Sequence, residues 1–276
     1  MGALGRVAVI IGYEWRRAIA KKKILALIIL AVLFQALVMI ALSRLLSYGS
    51  SLPGFGTPSL FWIFGVLEGQ GLFVQLIAII TAGGSMSEEY EHGTADILLS
   101  KPITRLEYLF GKFLGGFFLL AMVEALTTVV GIVLSLLLIG AQNSLEFAPL
   151  MFLAIVYSTL IFFSLSFMCS EVFRGSTIAM IIAFGVFIAS SVISSIFGVL
   201  YNFGGGSAYL YLSRGLPTWA ATNFPSLLMD QLIIGFGTTD TNALVQASII
   251  IVVYAIIFFL IAAYRLVNSD VSKKTG

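Results

Sequence analysis

Long apolar stretches alternate along the chain with short polar or glycine-rich segments. A helix rises about 1.5 Å per residue, so about 20 apolar residues cross the roughly 30 Å of hydrocarbon in a bilayer. By this measure the pattern predicts six membrane-spanning helices, at residues 24–46, 60–84, 109–139, 149–169, 176–200 and 244–264. We therefore predict an all-α integral membrane protein whose residues 1–276 form a single transmembrane domain.

The N-terminal residues 1–23 have a different pattern, in which apolar and basic side chains fall on opposite faces of a helix. The apolar face holds Leu4, Val7, Ile11, Trp15, Ala18 and Ile19, and the other holds Arg6, Arg16, Arg17 and Lys21. A basic face opposite an apolar one suits a helix that lies in the cytoplasmic interface of a membrane. The pattern therefore predicts an interfacial helix, and an ordinary surface helix is the alternative.

Residues 201–243 are too interrupted for a complete crossing, because they contain Gly204 to Gly206, Pro217 and Pro225. Proline and glycine end helices or mark their first turn. We expect a loop outside the cytoplasm with short interfacial or re-entrant helices, one of them from near Pro225 to Gly235.

The positive charges indicate the orientation. Six spans place both termini on one side, and of the fifteen Lys and Arg residues only Arg44 and Arg214 fall on the other side. Because cytoplasmic loops of membrane proteins carry the excess of Lys and Arg, we expect both termini, residues 85–108 and the turn 170–175 to lie in the cytoplasm. The expected location is the cell membrane.

Composition narrows the functional classes. Hydrophobic residues make up 59% of the chain and charged residues 10%, whereas soluble domains carry about 25% charged residues. The single cysteine, Cys169, and the single histidine, His92, exclude an intrachain disulfide and a multi-histidine metal site. The sequence also lacks a G-x-x-x-x-G-K-S/T phosphate-binding loop and any hydrolase motif, so we expect no enzyme activity and no cofactor in this chain.

The stretch from Ser85 to Lys112 is strongly charged but lies between two apolar stretches. Hydrocarbon cannot host so many ionisable groups, so the stretch is expected in water or against another protein. Thr104 and Glu107 have the spacing of a capping box, which predicts a helix that begins near Arg105. Ser85 and Glu88 form a second, weaker capping signal.

This stretch resembles the signature of ABC-2 type permeases, the membrane subunits of ATP-binding-cassette transporters. The likeness rests on Glu89-Tyr90-Glu91-His92-Gly93-Thr94, Leu98-Leu99-Ser100-Lys101-Pro102, Thr104-Arg105 and Gly111-Lys112. The resemblance implies that residues 85–108 form a coupling helix that docks on a separate ATPase. The residues expected at that contact are Glu88, Glu89, Glu91, Gly93, Thr94, Leu98, Leu99, Pro102 and Arg105.

The family also implies the partners. Two copies of an ATP-binding subunit would hold ATP and Mg²⁺, and a second permease copy, identical or related, would complete the transporter, which we expect to be an exporter. Apart from the lipid bilayer no other partner is indicated, and nucleic acid is not expected. Glu171 and Arg174 are candidates for a second, smaller ATPase contact, although a plain tight loop is equally compatible with them.

Two carboxylates are predicted within the membrane, where a charge is costly unless it is paired, protonated or hydrated. Glu68 and Glu124 could line a substrate or proton pathway. Alternatively, Glu68 pairs with Arg44, and Glu124 is a protonated carboxyl bonded to Thr127 or Thr128.

Two other functions are compatible with the sequence. A permease-like subunit could transmit a conformational change to an external partner or assembly process without bulk transport. A proton-coupled secondary transporter could use Glu68 and Glu124.

Two further features predict how the helices pack and where the membrane surface lies. Gly111, Gly115 and Gly116 would allow close helix packing, such as that at a dimer interface. Trp62 and Trp219 are typical of anchors at the membrane surface.

Overall fold

The computed structural model describes residues 2–20, 22–48, 58–71, 73–94, 103–233, 237 and 239–268. Its α-helices, which we number α1 to α12, are Ala3–Ala20, Lys23–Tyr48, Phe61–Gln70, Phe73–Gly83, Ser87–Glu91, Arg105–Leu138, Ala148–Ser158, Leu160–Phe173, Ser176–Asn202, Ser207–Arg214, Pro217–Leu232 and Thr241–Asn268. Two 3₁₀ turns, Pro58–Leu60 and Leu145–Phe147, precede α3 and α7. Within these ranges the regular structure is entirely helical, as predicted.

Five helical stretches in the described part of the chain are long and apolar enough to cross a membrane: Leu25–Leu46, Arg105–Leu138, Leu145–Phe173, Ser176–Asn202 and Thr241–Asn268. Each overlaps one of the predicted spans. The protein is therefore a multi-pass helical membrane protein.

The predicted second span, 60–84, consists of two short helices, α3 and α4. The break follows Gly69-Gln70-Gly71, where two glycines each disfavour a helix by about 1 kcal/mol relative to alanine. The halves have different neighbours, because α3 packs on α2 and α6 whereas α4 packs mainly on α8 and α9. The count of six spans is therefore not confirmed.

The predicted fourth span is longer than expected and is interrupted at Thr159. The Thr159 hydroxyl donates to the Val156 carbonyl at 2.6 Å, and α8 then continues to Phe173. Glu171 consequently lies inside a helix, and the expected turn 170–175 is reduced to Arg174 and Gly175.

The long segment 201–243 contains α10 and α11. The prediction of a helix from Pro225 to Gly235 was wrong, since α11 begins at Pro217 and continues through Pro225 to Leu232. Pro217 occupies the first turn, where its missing N–H costs nothing. Helix α11 packs against α7, α9 and α12, so it belongs to the bundle.

Helix α8 is central, with α4, α9 and α12 packed around it. Helix α1 lies along α6, and two of the three glycines predicted for close packing, Gly111 and Gly115, lie at this contact, whereas Gly116 faces Phe163 of α8. A Cβ at Gly111 would be 2.7 Å from the Cβ of Ile10, and one at Gly115 would be 3.0 Å from the Cβ of Glu14. The glycines thus admit α1 of the same chain.

The prediction of Trp62 as a membrane-surface anchor was wrong, because the residue is fully buried. Its indole Nε1–H donates to the Asn143 carbonyl at 2.8 Å, and its backbone N–H donates to Gln142 Oε1 at 3.1 Å. Trp62 therefore holds the turn between α6 and α7. Trp219 is half-buried beneath the guanidinium of Arg214.

Candidate functional site: an ionic cluster that joins three helices

Five charged side chains meet where α1, α5 and α6 converge, and we call them the ionic cluster: Glu14, Arg17, Glu88, Glu89 and Lys112. Glu89 and Lys112 are its centre, with side chains 1% and 0% exposed. The Lys112 Nζ forms ion pairs with Glu89 and with Glu14. A buried charge requires such partners, since an isolated one costs several kcal/mol.

Arg17 connects the cluster to the outer side of α5. Its Nη2 lies 2.9 Å from Glu88 Oε2, and its Nη1 lies 3.1 Å from Glu89 Oε1. The guanidinium suits this position because its planar donors can serve two carboxylates together. Helix α1, predicted as an interfacial helix, is therefore bound to α5 by charge as well as to α6 by close packing.

The second oxygen of Glu89 accepts a hydrogen bond from the Tyr108 hydroxyl, which comes from the first turns of α6. Tyr108 is 2% exposed. Glu89 is thus satisfied by a lysine, an arginine and a phenol from two other helices. Its carboxylate lies inside the protein.

The start of α5 is capped by a residue distant in sequence. The backbone N–H groups of Met86 and Ser87 donate to Ser170 Oγ at 3.1 and 2.8 Å. Helix N-termini have unsatisfied N–H groups that need such an acceptor. The capping role predicted for Ser85 was wrong, since its buried Oγ has no hydrogen-bond partner among the described residues.

The next residue, Tyr90, links α5 to the end of α8. Its hydroxyl donates to Glu171 Oε2 at 2.8 Å, and the Arg174 guanidinium lies 4.7 Å from its ring centroid. Burial and the adjacent Glu171 carboxylate raise the pKa of Tyr90 above its usual range, so the phenol keeps its proton. The two segments predicted as separate contacts, around Glu89 and around Glu171, are therefore directly joined.

Glu91 links α5 to α9. Its Oε1 accepts from the backbone N–H of Ser176 at 2.6 Å and from the Ser176 hydroxyl at 3.0 Å. Ser176 is the first residue of α9, where a carboxylate is favoured by the unpaired N–H groups and by the helix dipole. The five-residue helix α5 thus contacts four other helices, α1, α6, α8 and α9.

The start of α6 has the predicted capping box, with Thr104 Oγ1 accepting from the Glu107 N–H and Glu107 Oε2 accepting from the Thr104 N–H. Glu107 also pairs with Arg6 of α1 at 2.6 Å. Arg105 donates to the carbonyl oxygens of Leu266 and Val267 at 2.7 and 3.0 Å. These bonds attach the start of α6 to both the first and the last helix.

A comparison with known protein families assigns the chain to a family. Residues 8–271 match the ABC-2 family transporter proteins, which is almost the whole chain. The chain belongs to the ABC-2 transporter family. No match to a curated individual protein was found. Membership makes the protein a transporter membrane subunit, an ABC-2 permease, and implies an ATP-binding partner subunit.

Several residues predicted to contact the ATPase lie at or beyond the end of the described range 73–94. Gly93 is exposed and has a positive φ of 68°, which favours glycine. Thr94 is half-buried and donates from its backbone N–H to the Glu89 carbonyl at 2.9 Å. Leu98, Leu99 and Pro102 lie outside the described residues.

Of the two carboxylates predicted within the membrane, Glu68 and Glu124, the structure describes the surroundings of Glu124 alone. Glu124 is 1% exposed and is bonded to the hydroxyls of Thr127 and Thr128 on its own helix, the arrangement predicted as its structural role. A small cavity separates it from Gln35, whose Nε2 donates to the Gly65 carbonyl at 3.0 Å. The Glu68 side chain lies outside the described part, so its pairing with the exposed Arg44 stays a prediction.

Sequence reasoning missed four residues of the permease site: Glu14, Arg17 as an ion-pair partner, Tyr108 and Ser170. One signal was available for Glu14, since it is the only acidic residue in α1. A lone carboxylate in a basic amphipathic helix indicates a cation from elsewhere in the fold. No local pattern marks Ser170 as the cap of α5.

Proposed function

We propose that this ABC-2 permease is the membrane half of an ABC exporter, and that α5 and the residues that follow it receive the movement of a separate ATPase. The observation that carries the proposal is the position of α5. One short helix is bonded to α1, α6, α8 and α9 through Arg17, Lys112, Glu171 and Ser176. A force on α5 would therefore reach several long helices together.

The burial of individual residues refines which of them touch the ATPase. Glu91, His92 and Gly93 are exposed, whereas Glu89 is 1% exposed. We assign the ATPase contact to the exposed residues at the C-terminal end of α5. Glu89 acts behind that contact, as the ionic connection to α1 and α6.

Rigidity supports this mechanical role. A buried ion pair satisfies every partner only in one arrangement. Any movement of one partner away from the other leaves a buried charge unpaired, which is costly. A cluster of this kind transmits displacement as a rigid-body shift rather than absorbing it. The α5 connections would thus convert a nucleotide-driven movement into a rearrangement of the spans.

The rest of the assembly follows from the same assignment. ATP and Mg²⁺ would bind in the partner, with two ATPase copies and a second permease copy per transporter. The positive-charge distribution favours an orientation with both termini and α5 in the cytoplasm, and the expected location is the cell membrane. The chain itself would carry no ATPase activity.

Site-specific cross-linking tests the contact. The variant His92→Cys, in a Cys169→Ala background, provides a thiol at the exposed end of α5. A cross-linker attached to this thiol reacts through its other end with nearby amines of the ATPase. The matched control is Ser207→Cys, which is exposed at the start of α10. With the purified ATPase subunit in nanodiscs, we expect an adduct at position 92 and none at position 207. An adduct at 207 alone, or equal adducts at both, would contradict the proposal.

A further inference from the structure

The ionic cluster forms part of the wall of a small cavity between α1, α2, α4, α5 and α6. Three members of the cluster, Glu14, Arg17 and Glu88, line it together with Ser85, which lies just before α5. The volume of the cavity is about 60 Å³, which corresponds to about two water molecules in the liquid. The cavity therefore has room for one small polar group and not for a whole ligand.

Two oxygen atoms of the lining residues have no hydrogen-bond partner in the described part of the chain. Ser85 is 5% exposed, and its buried Oγ forms no hydrogen bond there. Glu14 uses Oε1 for both Lys112 and Arg17, whereas its Oε2 makes no such contact. Because a buried polar atom without a partner is costly, these two acceptors indicate a donor that the chain itself does not supply.

The charge of the ionic cluster indicates that this donor is a cation. The cluster has three carboxylates, Glu14, Glu88 and Glu89, and two cations, Arg17 and Lys112, which leaves one negative charge in excess. An unbalanced charge in the protein interior is costly. One monovalent cation beside the carboxylate that has a spare oxygen would balance the cluster.

The walls of the cavity suit an ammonium group better than a metal ion. A hard metal ion such as Ca²⁺ takes about 6–8 oxygen ligands, and the described residues contain no group of three or more His, Cys, Asp or Glu side chains that could hold a metal. Part of the wall is instead aliphatic, with Ala18, Leu27 and Leu119. An ammonium group needs only three acceptors, and the carbon chain that carries it packs well on apolar surface.

The position of the cavity indicates where such an ammonium group comes from. Leu27 is the third residue of the span Leu25–Leu46, so the cavity lies where α2 enters the membrane. Ala18 lies near the end of α1, and the neighbouring Ile19 is 71% exposed. An apolar side chain this exposed in a membrane protein indicates contact with lipid chains. The cavity therefore lies at the level of lipid headgroups and beside lipid chains.

We propose that the cavity binds the ammonium group of a phosphatidylethanolamine headgroup. The ammonium donates to Glu14 Oε2 and Ser85 Oγ and supplies the positive charge that the ionic cluster lacks. The primary ammonium of this lipid has three N–H donors, whereas the trimethylated ammonium of phosphatidylcholine has none. The site therefore selects the first lipid over the second. This proposal does not depend on the ATPase contact, so either can fail while the other stands.

Retention of lipid by the purified permease tests the proposal. The permease is extracted from nanodiscs with equal amounts of phosphatidylethanolamine, its N-monomethyl and N,N-dimethyl derivatives and phosphatidylcholine, all with identical acyl chains. After extensive washing in a neutral detergent, mass spectrometry of the extracted lipids measures what is retained. We expect retention to fall at least tenfold from the first lipid to the last, because each methyl group removes one N–H donor. Equal retention of the four lipids, or retention of none, would overturn the proposal.

Three comparison probes separate the other occupants. Phosphatidylglycerol presents a phosphate without an ammonium, and its stronger retention would replace the proposal by an anion site at Arg17. Free ethanolamine presents the ammonium without lipid chains, and displacement of the lipid by an equal concentration of it would indicate a soluble amine. Displacement by equally dilute potassium chloride would indicate a metal ion. We expect none of these three results.

Two pairs of variants check that the lipid occupies this cavity. Ala18→Leu enlarges a side chain of the wall, and Ala20→Leu makes the same change at an exposed position of the same helix outside the cavity. Ser85→Ala removes one acceptor, and Ser195→Ala removes an exposed hydroxyl elsewhere. We expect retention to fall about tenfold with Ala18→Leu and about fivefold with Ser85→Ala. Retention that is unchanged in both cavity variants, or equally reduced in their controls, would contradict the proposal.

The unmodified protein gives an independent result if a variant does not fold. Phosphatidylethanolamine added to the delipidated permease in detergent should raise its Tm with increasing concentration, because a ligand of the folded state stabilises it. Phosphatidylcholine with the same acyl chains should raise the Tm much less. An equal rise with the two lipids would show that the ammonium group is not recognised.

Discussion

Glu89 and Glu124 are both 1% exposed, yet their surroundings differ in kind. Glu89 is bound by Lys112, Arg17 and Tyr108, which lie 23, 72 and 19 residues away in the chain. Glu124 is bound by Thr127 and Thr128, three and four residues farther along the same helix. The first carboxylate connects helices, and the second is satisfied within one.

This difference indicates which buried acid holds different helices together. Loss of a long-range ion pair leaves the partner charges buried without a counter-charge and removes a bond between helices. Loss of a local bond to a hydroxyl removes a contact within one helix and leaves the contacts between helices intact. Burial alone does not distinguish the two. The partners of each carboxylate do, and four substitutions test this difference.

Replacing Lys112 by methionine should have the largest effect. It removes the cation shared by Glu14 and Glu89 and leaves both carboxylates buried, which should cost about 3–5 kcal/mol of unfolding free energy. Thermal and denaturant unfolding in nanodiscs measure this loss of unfolding free energy. The double variant Lys112→Met/Glu89→Gln should recover part of the loss, and an additive loss would contradict the ion pair.

Gly111→Ala should come next, because α1 must approach α6 closely for Glu14 and Arg17 to reach the cluster. The new Cβ would lie 2.7 Å from the Ile10 side chain, and overpacking of this kind costs about 1–3 kcal/mol. Gly12→Ala is the control, since nothing lies within 4 Å of its Cβ position. We expect this variant to be slightly stabilised, and equal behaviour of the two would argue against close packing.

Tyr90→Phe should have an effect of about the same size as Gly111→Ala. It removes the hydroxyl that donates to Glu171 but keeps the ring beneath Arg174, so we expect a loss of about 1–3 kcal/mol from the buried acceptor. Tyr209→Phe, a partly exposed phenol on α10, controls for the hydroxyl alone. Equal losses of unfolding free energy in the two variants would contradict a role for the Tyr90 hydroxyl in joining α5 to α8.

Glu124→Gln should have the smallest effect, about 0.6 kcal/mol, since glutamine can still bond to the threonine hydroxyls. Glu89→Gln, the same change at equal burial, should cost several times more. Unfolding of the two variants side by side gives the comparison directly. A larger loss at Glu124 would reverse our assignment of the connecting acid.

Features encoded by neighbouring residues were predictable from the sequence. The Thr104–Glu107 capping box, the amphipathic α1 and five of the spans depend on spacings of three or four residues or on long apolar runs. The ABC-2 family was predictable from a motif within residues 89–112, although part of that motif lies outside the described residues.

Features that depend on distant residues were not predictable. Lys112 meets Glu14 across 98 residues, and Ser170 caps α5 from 83 residues away. The break in the predicted second span had a local signal, since Gly69 and Gly71 flank one residue, but hydropathy outweighed it. Trp62 was misassigned because an aromatic residue near a span end suits a membrane surface and a buried hydrogen bond equally well.

The most direct measurement is nucleotide-dependent maleimide labelling of Ser195→Cys, at the far end of α9, in the permease reconstituted with its ATPase. With an intact α5, we predict that ATP and Mg²⁺ change the labelling rate. With Glu89→Gln and Glu91→Ala combined, the change should disappear while ATP hydrolysis by the partner continues. An unaltered change in that double variant would contradict the account.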